Sequence, residues 1–143
     1  MPSLEERIVA GCDEAVIHAD RDGIIRLWNA GAARMLGHPA AEAVGQSLDL
    51  IIPEKHRQRH WAGYHQVMET GQTAYAGSLL AVPALARDGS RVSVEFSVAL
   101  VQDEAGHVEG IAAIMRDVTE RRAAEKARQR ELAELREHAT PAE

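Results

Sequence analysis

The sequence predicts an α+β domain, and three observations predict it. Val92, Val94, Phe96, Val98 and Leu100 alternate with Ser93, Glu95, Ser97 and Ala99, which is the period of a strand with one dry and one wet face. Asp22-Gly23 and Asp88-Gly89 each stand between two short apolar runs, and an Asp-Gly pair supplies the positive φ of a tight hairpin turn. The segments with helical spacing are gathered between the second and third strands, with one further helix at each end. Five antiparallel strands with segregated helices make an α+β arrangement.

Taken in order, Leu4, Ile8 and Cys12 form an i, i+4, i+8 stripe that predicts a short amphipathic helix. Ala15 to Ala19 is a strand, Asp20-Arg21-Asp22-Gly23 its turn, and Ile24 to Trp28 the partner strand. Asn29 caps a helix over Ala30 to Leu36, which Gly37 ends. Pro39 to Val44 is another short helix, closed by Gly45. Pro53 opens a longer helix that runs to about Thr70, before Gly71. Steps of about 100° per residue place His60, Trp61, Val67 and Met68 within about 60° of Tyr64 on its inner face, with His56 and His65 on the flanks. Leu79 to Ala86 is a strand whose Pro83 cannot donate to a ladder, so it belongs at a sheet edge. After the Arg87-Asp88-Gly89-Ser90 turn comes the alternating strand. A turn around Gly106 follows, and then a last strand over Val108 to Met115. Asp117 or Thr119 caps a final helix to about His138, so dominated by charged residues and Ala that no core can bury it.

Composition narrows the function. Formal net charge is −6 and the basic residues form no single patch on the folded part, which speaks against a nucleic-acid partner. No stretch approaches the roughly 18 apolar residues of a membrane span, and Met1 to Glu6 lacks the pattern of a signal peptide. The single cysteine, Cys12, excludes an intramolecular disulfide and a multi-cysteine metal site. A reducing, cytoplasmic location fits. Nothing resembles a nucleophile–base–acid group or a phosphate loop, so the chain reads as a non-enzyme.

Asp22-Gly23-Ile24-Ile25, Trp28-Asn29-Ala30, Leu36-Gly37, Val44-Gly45, Ile51-Ile52-Pro53, Arg87-Asp88-Gly89 and the exit Arg116-Asp117-Val118-Thr119-Glu120-Arg121 occur in the order and spacing of PAS domains. From about Cys12 to Arg122 the chain resembles that family. The resemblance implies a five-stranded antiparallel sheet with short helices and one long helix on one face, enclosing a ligand pocket between sheet and long helix. It also implies sensing rather than catalysis. The implied layout is an N-terminal amphipathic helix over 1–12, a sensory domain over 13–118, a signalling helix over 119–138 and a tail over 139–143. The implied partners are a second copy, paired through the flanking helices, and a downstream or separate signalling effector.

Within the family, Pro53-Glu54-Lys55-His56-Arg57-Gln58-Arg59-His60 is similar to the segment that opens the long helix in the haem-PAS domains of rhizobial oxygen-sensor kinases, whose last His is the proximal haem ligand. The resemblance therefore implies haem b held by His60, with a diatomic gas or a redox state sensed. Trp61, Tyr64, Met68, Tyr75, Leu80, Phe96, Val98 and Met115 are then the residues expected around the cofactor. The sequence departs from that pattern in two places. Leu80 stands where those sensors carry the arginine that holds oxygen, and Gln66, Met68 and Ala74 stand where side chains contact the propionates, with Arg57 or Arg59 as substitutes. Loss of the distal donor shifts the expectation toward carbon monoxide or nitric oxide.

Plainer readings stand beside these. His60 can hydrogen-bond a backbone carbonyl, leaving a PAS dimerisation module that is cofactor-free or holds a small organic ligand. His56 and His60 have the spacing of two zinc ligands, but no third is evident. Trp28 and Trp61 fit core or rim positions as well as stacking on a flat ring, and Met115 fits the core. Cys12 lacks the setting of a photochemical cysteine. Leu132 and Leu135 lie three apart like coiled-coil seam residues, but Glu125 and Arg128 hold the preceding seam positions.

Overall fold

The computed structural model describes residues 1–73 and 79–139. The elements run α1 (Leu4–Gly11), β1 (Ala15–Asp20), β2 (Ile25–Trp28), α2 (Ala30–Leu36), α3 (Ala40–Ala43), a 3₁₀ turn (Leu48–Ile51), α4 (Glu54–Thr70), β3 (Leu80–Leu85), β4 (Arg91–Gln102), β5 (Val108–Asp117) and α5 (Thr119–Ala139).

Both Asp-Gly pairs make the hairpins expected of them. Asp20 Oδ1 accepts from the backbone N–H groups of Asp22 and Ile24, and Gly23 takes φ 77°, open only at a cost to other residues. Asp88 Oδ1 accepts from the Ser90 N–H in the same way at the β3–β4 turn. The five strands pair antiparallel in the order β2-β1-β5-β4-β3. The chain's two halves thus meet at the central β1–β5 pair, where Ile17 lies opposite Ala113.

The two edges differ. Beyond β2, Ile25 donates to the Gln46 carbonyl and accepts from the Gly45 N–H, so loop backbone covers that edge. β3 forms the other edge, where Pro83 placed it. The Ser93 N–H is taken by Thr119 Oγ1 and its carbonyl by the Val118 N–H. Both groups of Ser93 therefore point away from β3, and its partner Pro83 turns its donorless nitrogen to the open side. The proline costs the ladder no bond.

The helices and the sheet's inner face make one core. Ala15, Ile17, Ala19 and Ile25 are completely buried with Ala32 and Leu36 of α2. Leu48 and Ile51 close one end, and Tyr64 and Met68 are the buried residues of α4. Across β3 and β4 the same face is less covered: Leu80, Phe96, Val98 and Leu100 are half-buried.

Several boundaries, and one whole element, depart from expectation. Pro53 sits one residue outside α4, with ψ 140°, and Glu54 is the first helical residue. The 3₁₀ turn, capped by Ser47 Oγ on the Asp49 N–H at 3.1 Å, has no counterpart in the periodicity. β5 runs two residues past Met115, because the β4 ladder continues to the Val94–Asp117 pair. Tyr75 and Ala74 lie outside the described residues, as do positions 140–143.

Candidate functional site

α4 carries the histidine singled out by its spacing, and four attachments fix the helix. The Tyr64 hydroxyl donates to the Asp20 carbonyl at the end of β1. Trp61 lays its ring on the β1–β2 turn, where a Cβ on Gly23 would come within 2.2 Å of it, and its Nε1 donates to Asp49 Oδ1 at 2.7 Å. Arg21 reaches from the same turn to the carbonyls of Met68 and Val108, tying the last turn of α4 to the start of β5. Arg57 donates to the carbonyls of Ile52 and Asp49 at 3.0 and 3.3 Å and pairs with the Asp49 carboxylate. That anchors the helix start and commits the guanidinium. Arg59 is exposed and makes no ion pair among the described residues.

His60 lies within this frame, half-buried. Its ring meets Trp61 edge-on at 4.7 Å between centroids and tilts against Tyr64 at 5.7 Å. Its Nδ1 is buried and has no hydrogen-bond partner among the described residues. Burial lowers its pKa; Asp49 opposes that shift and His65 adds to it. The ring is therefore neutral at pH 7, with one nitrogen lone pair available. Burial, reinforced by Asp20 and Asp22, pushes the Tyr64 phenol far above its ordinary range, so it remains a donor.

The expected site residues fall into two sets. On α4, Trp61, Tyr64 and Met68 join His60. On the sheet, Leu80 of β3, Phe96 of β4 and Met115 of β5 stand in one cross-strand row, and Val98 lies opposite Ala113. Trp61, Tyr64, Met68, Phe96 and Met115 belong to one apolar cluster. Leu80 and Val98 are half-buried on the same sheet face. Leu100 and Ile111 share that face as a cross-strand pair and pack on the cluster, although the pocket expectation omitted them. Their period-two spacing is the signal that could have found them.

Other expectations resolve more simply. Trp28 is buried with its Nε1 donating to the His38 carbonyl at 2.8 Å, a core role. His56 is half-buried and His65 is exposed, stacked on Trp61. Among the described residues no three His, Cys, Asp or Glu side chains gather as metal ligands do, so His56 and His60 find no third zinc ligand. No described helix is long and apolar enough to cross a membrane. Asp49 and Arg21, which hold α4, went unread, and Arg57 was read as a propionate partner, because both arginines act mainly on backbone carbonyls.

Comparison with known proteins agrees with this architecture. A sequence profile described as "PAS fold" matches residues 11–123. The sensor protein FixL of Bradyrhizobium diazoefficiens is 30% identical over 107 residues, 75% of this chain and 21% of that protein. An uncharacterized protein of Azorhizobium caulinodans is 31% identical over 118 residues, 82% of this chain and 16% of that one. The chain thus spans about a fifth or less of the curated relatives it matches. Among solved structures, the PAS domain of a Colwellia psychrerythraea protein superposes with TM-score 0.71 at 19% identity, covering 81% of this chain and 95% of that one. An RNA-binding light-oxygen-voltage receptor superposes with TM-score 0.75 at 20% identity over 93% of this chain and 37% of that one, a likeness of fold. With profile, relatives, strand order and helix placement in agreement, the chain belongs to the PAS fold family.

Proposed function

We propose that this domain is the sensory input of a signalling protein, holding its ligand between α4 and the half-covered face of β3 and β4, with His60 as the polar anchor. One observation carries the reading. Among the described residues His60 Nδ1 is buried without a partner, in a protein interior where such atoms are nearly always satisfied. A bound group that engages the imidazole removes that deficit.

Haem b is the group we assign. A neutral imidazole fits an axial ligand position, and His60 is held neutral by its burial. When bound, haem supplies an open coordination position for a diatomic gas. Leu80, Phe96, Val98, Leu100 and Ile111 offer that position no hydrogen-bond donor from their side chains. With no such donor the site would suit carbon monoxide or nitric oxide better than oxygen. Of the two arginines near the helix start, Arg59 is the one left for a propionate.

In this reading residues 13–118 sense and 119–138 transmit, without catalysis. The setting is the cytoplasm, and the partners are a second copy and an effector, not nucleic acid or membrane. The test is a visible spectrum of protein expressed with ample haem supply. A Soret band that His60→Ala abolishes, with far-ultraviolet circular dichroism unchanged, supports the reading. A band that survives in His60→Ala refutes His60 as the ligand, and colourless protein refutes haem.

A second reading is a cofactor-free dimerisation module, or one holding a small organic ligand. It is favoured by α1, which has no buried residue and leaves Leu4 and Ile8 59% and 62% exposed. A second copy covering that stripe predicts a sedimentation dimer that Leu4→Glu with Ile8→Glu converts to monomer.

A further inference from the structure

A different surface draws attention outside the interior. The first turns of α5 lie beside the open edge of the sheet, where Arg122 and Lys126 line a slot of about 140 Å³ with Ala81, Val82, Pro83, Ser93 and Val94. Steps of about 100° per residue put Arg130 on the same side, so Arg122, Lys126 and Arg130 run along one strip of about 80° of arc. Like charges at i, i+4 oppose one another and cost a helix stability. Two neighbouring cations are neutralised: Arg121 pairs with Glu95 and with Glu125, and Arg116 pairs with Glu14. None of Arg122, Lys126 and Arg130 forms an ion pair among the described residues. Arg122 does act on Glu95 at longer range, but that carboxylate is already shared with Arg121 and Arg116. Cation is therefore in surplus on the first turns of this strip, before Glu134 and Glu137 follow on the same side.

Apolar surface adjoins it. Ala81 and Pro83, which share the Ser93 face of the sheet, line the slot. Ala81 and Leu85 turn backbone donors and acceptors to the same edge, since their neighbours Val82 and Ala84 face the β4 ladder. Charge, apolar floor and backbone groups unpaired among the described residues lie side by side, and each matches a different part of one kind of ligand.

We propose that the slot and the Arg122–Lys126–Arg130 strip form a docking surface for an acidic, extended segment of a partner protein. Its carboxylates meet the three cations and its apolar side chains rest on Ala81 and Pro83. The glutamates of α5 repel either anion alike, but the edge groups of Ala81 and Leu85 recur with the strand period of an extended peptide, which favours a peptide over a nucleic acid. The surface is independent of what the interior holds.

The test is fluorescence anisotropy of the whole chain with a fluorescein-labelled peptide of alternating Glu and Val. Binding that weakens as sodium chloride rises, and falls about tenfold or more in Arg122→Glu/Lys126→Glu/Arg130→Glu, supports the proposal. The control is Arg7→Glu/Arg91→Glu/Arg128→Glu, which changes net charge equally and places its α5 substitution about 160° round the helix. All six positions are on the surface, and circular dichroism checks that both variants keep their fold. Absence of binding by the wild-type chain overturns the proposal, as does equal loss in the control. Tighter binding of a single-stranded oligonucleotide than of the peptide also overturns it.

Discussion

Asn29 shows how much one side chain can hold. It is buried, and its amide is fully used. Oδ1 accepts from the N–H groups of Ala32 and Val16, both at 2.9 Å, while Nδ2 donates to the carbonyls of Val9 and Glu14 at 2.9 and 3.0 Å. The bond to Ala32 is the helix cap that the sequence pattern announces. The others join α1, β1 and α2 at one point, and carbonyl partners leave no mark in a sequence. Asn29→Ala leaves buried donors and acceptors unpaired and is expected to cost about 2–3 kcal/mol, read from the urea midpoint. Asn29→Asp keeps the cap but loses both donors, so it should fall below wild type as well. A wild-type midpoint in Asn29→Ala would mean that water or a shifted backbone replaces the amide. Glycines act at the same scale: a Cβ on Gly110 would lie 2.0 Å from the Ala19 carbonyl oxygen, so the close approach of β5 to β1 needs that residue.

The root of α5 and the edge strand are the elements whose behaviour is most open to test. α5 is seated by Val118, which donates to the Ser93 carbonyl, by Thr119, which accepts from the Ser93 N–H, and by Arg121 on Glu95. The hydrogen bond from Arg121 is the largest cause of a lowered Glu95 pKa. A carboxylate with a depressed folded-state pKa stabilises above its unfolded value, ordinarily 4.5, and that contribution is lost as pH falls through the folded value. Amide exchange in the first turns of α5 should therefore accelerate on acidification below pH 4.5 relative to the sheet. Glu95→Gln should exchange fast at neutral pH and show less of that dependence; an unchanged profile would remove Glu95 from the anchor. On the edge, Pro83 blocks one donor position while costing the β4 ladder nothing. Pro83→Val should keep the fold and unfold within about 1 kcal/mol of wild type, yet self-associate more readily in sedimentation, since it completes a row of edge donors. Destabilisation without association would show that the ring matters for packing instead.

At the scale of the molecule, the fold was legible because its punctuation is strong. Asp22-Gly23, Asp88-Gly89, Gly37 and Gly71 stand at the ends the structure gives them, and the alternation through Phe96 is the inner face of β4. The 3₁₀ turn at Leu48–Ile51 was not legible, since four residues carry no period. The interior site was half legible: spacing turned His60 toward Tyr64, but Arg21 acts on carbonyls 47 and 87 residues away, and Asp49 and Arg57 meet at a 3₁₀ turn that carries no period. The distinction between body and α5 is sharper than either. Every described residue from Thr119 to Ala139 is exposed, while Val118 just before it is buried. Burial is what makes an element share in cooperative stability, so the body should unfold as if most of α5 were absent. A chain ending at Arg122 keeps Val118, Thr119 and Arg121. It is expected to lose helical signal in circular dichroism, while its unfolding free energy stays within about 1 kcal/mol and its urea slope is little changed. A loss of several kcal/mol would mean that α5 packs on the body, or on a second copy, through contacts this exposure does not reveal. A dilution series separates those two, because only the second makes the loss depend on protein concentration.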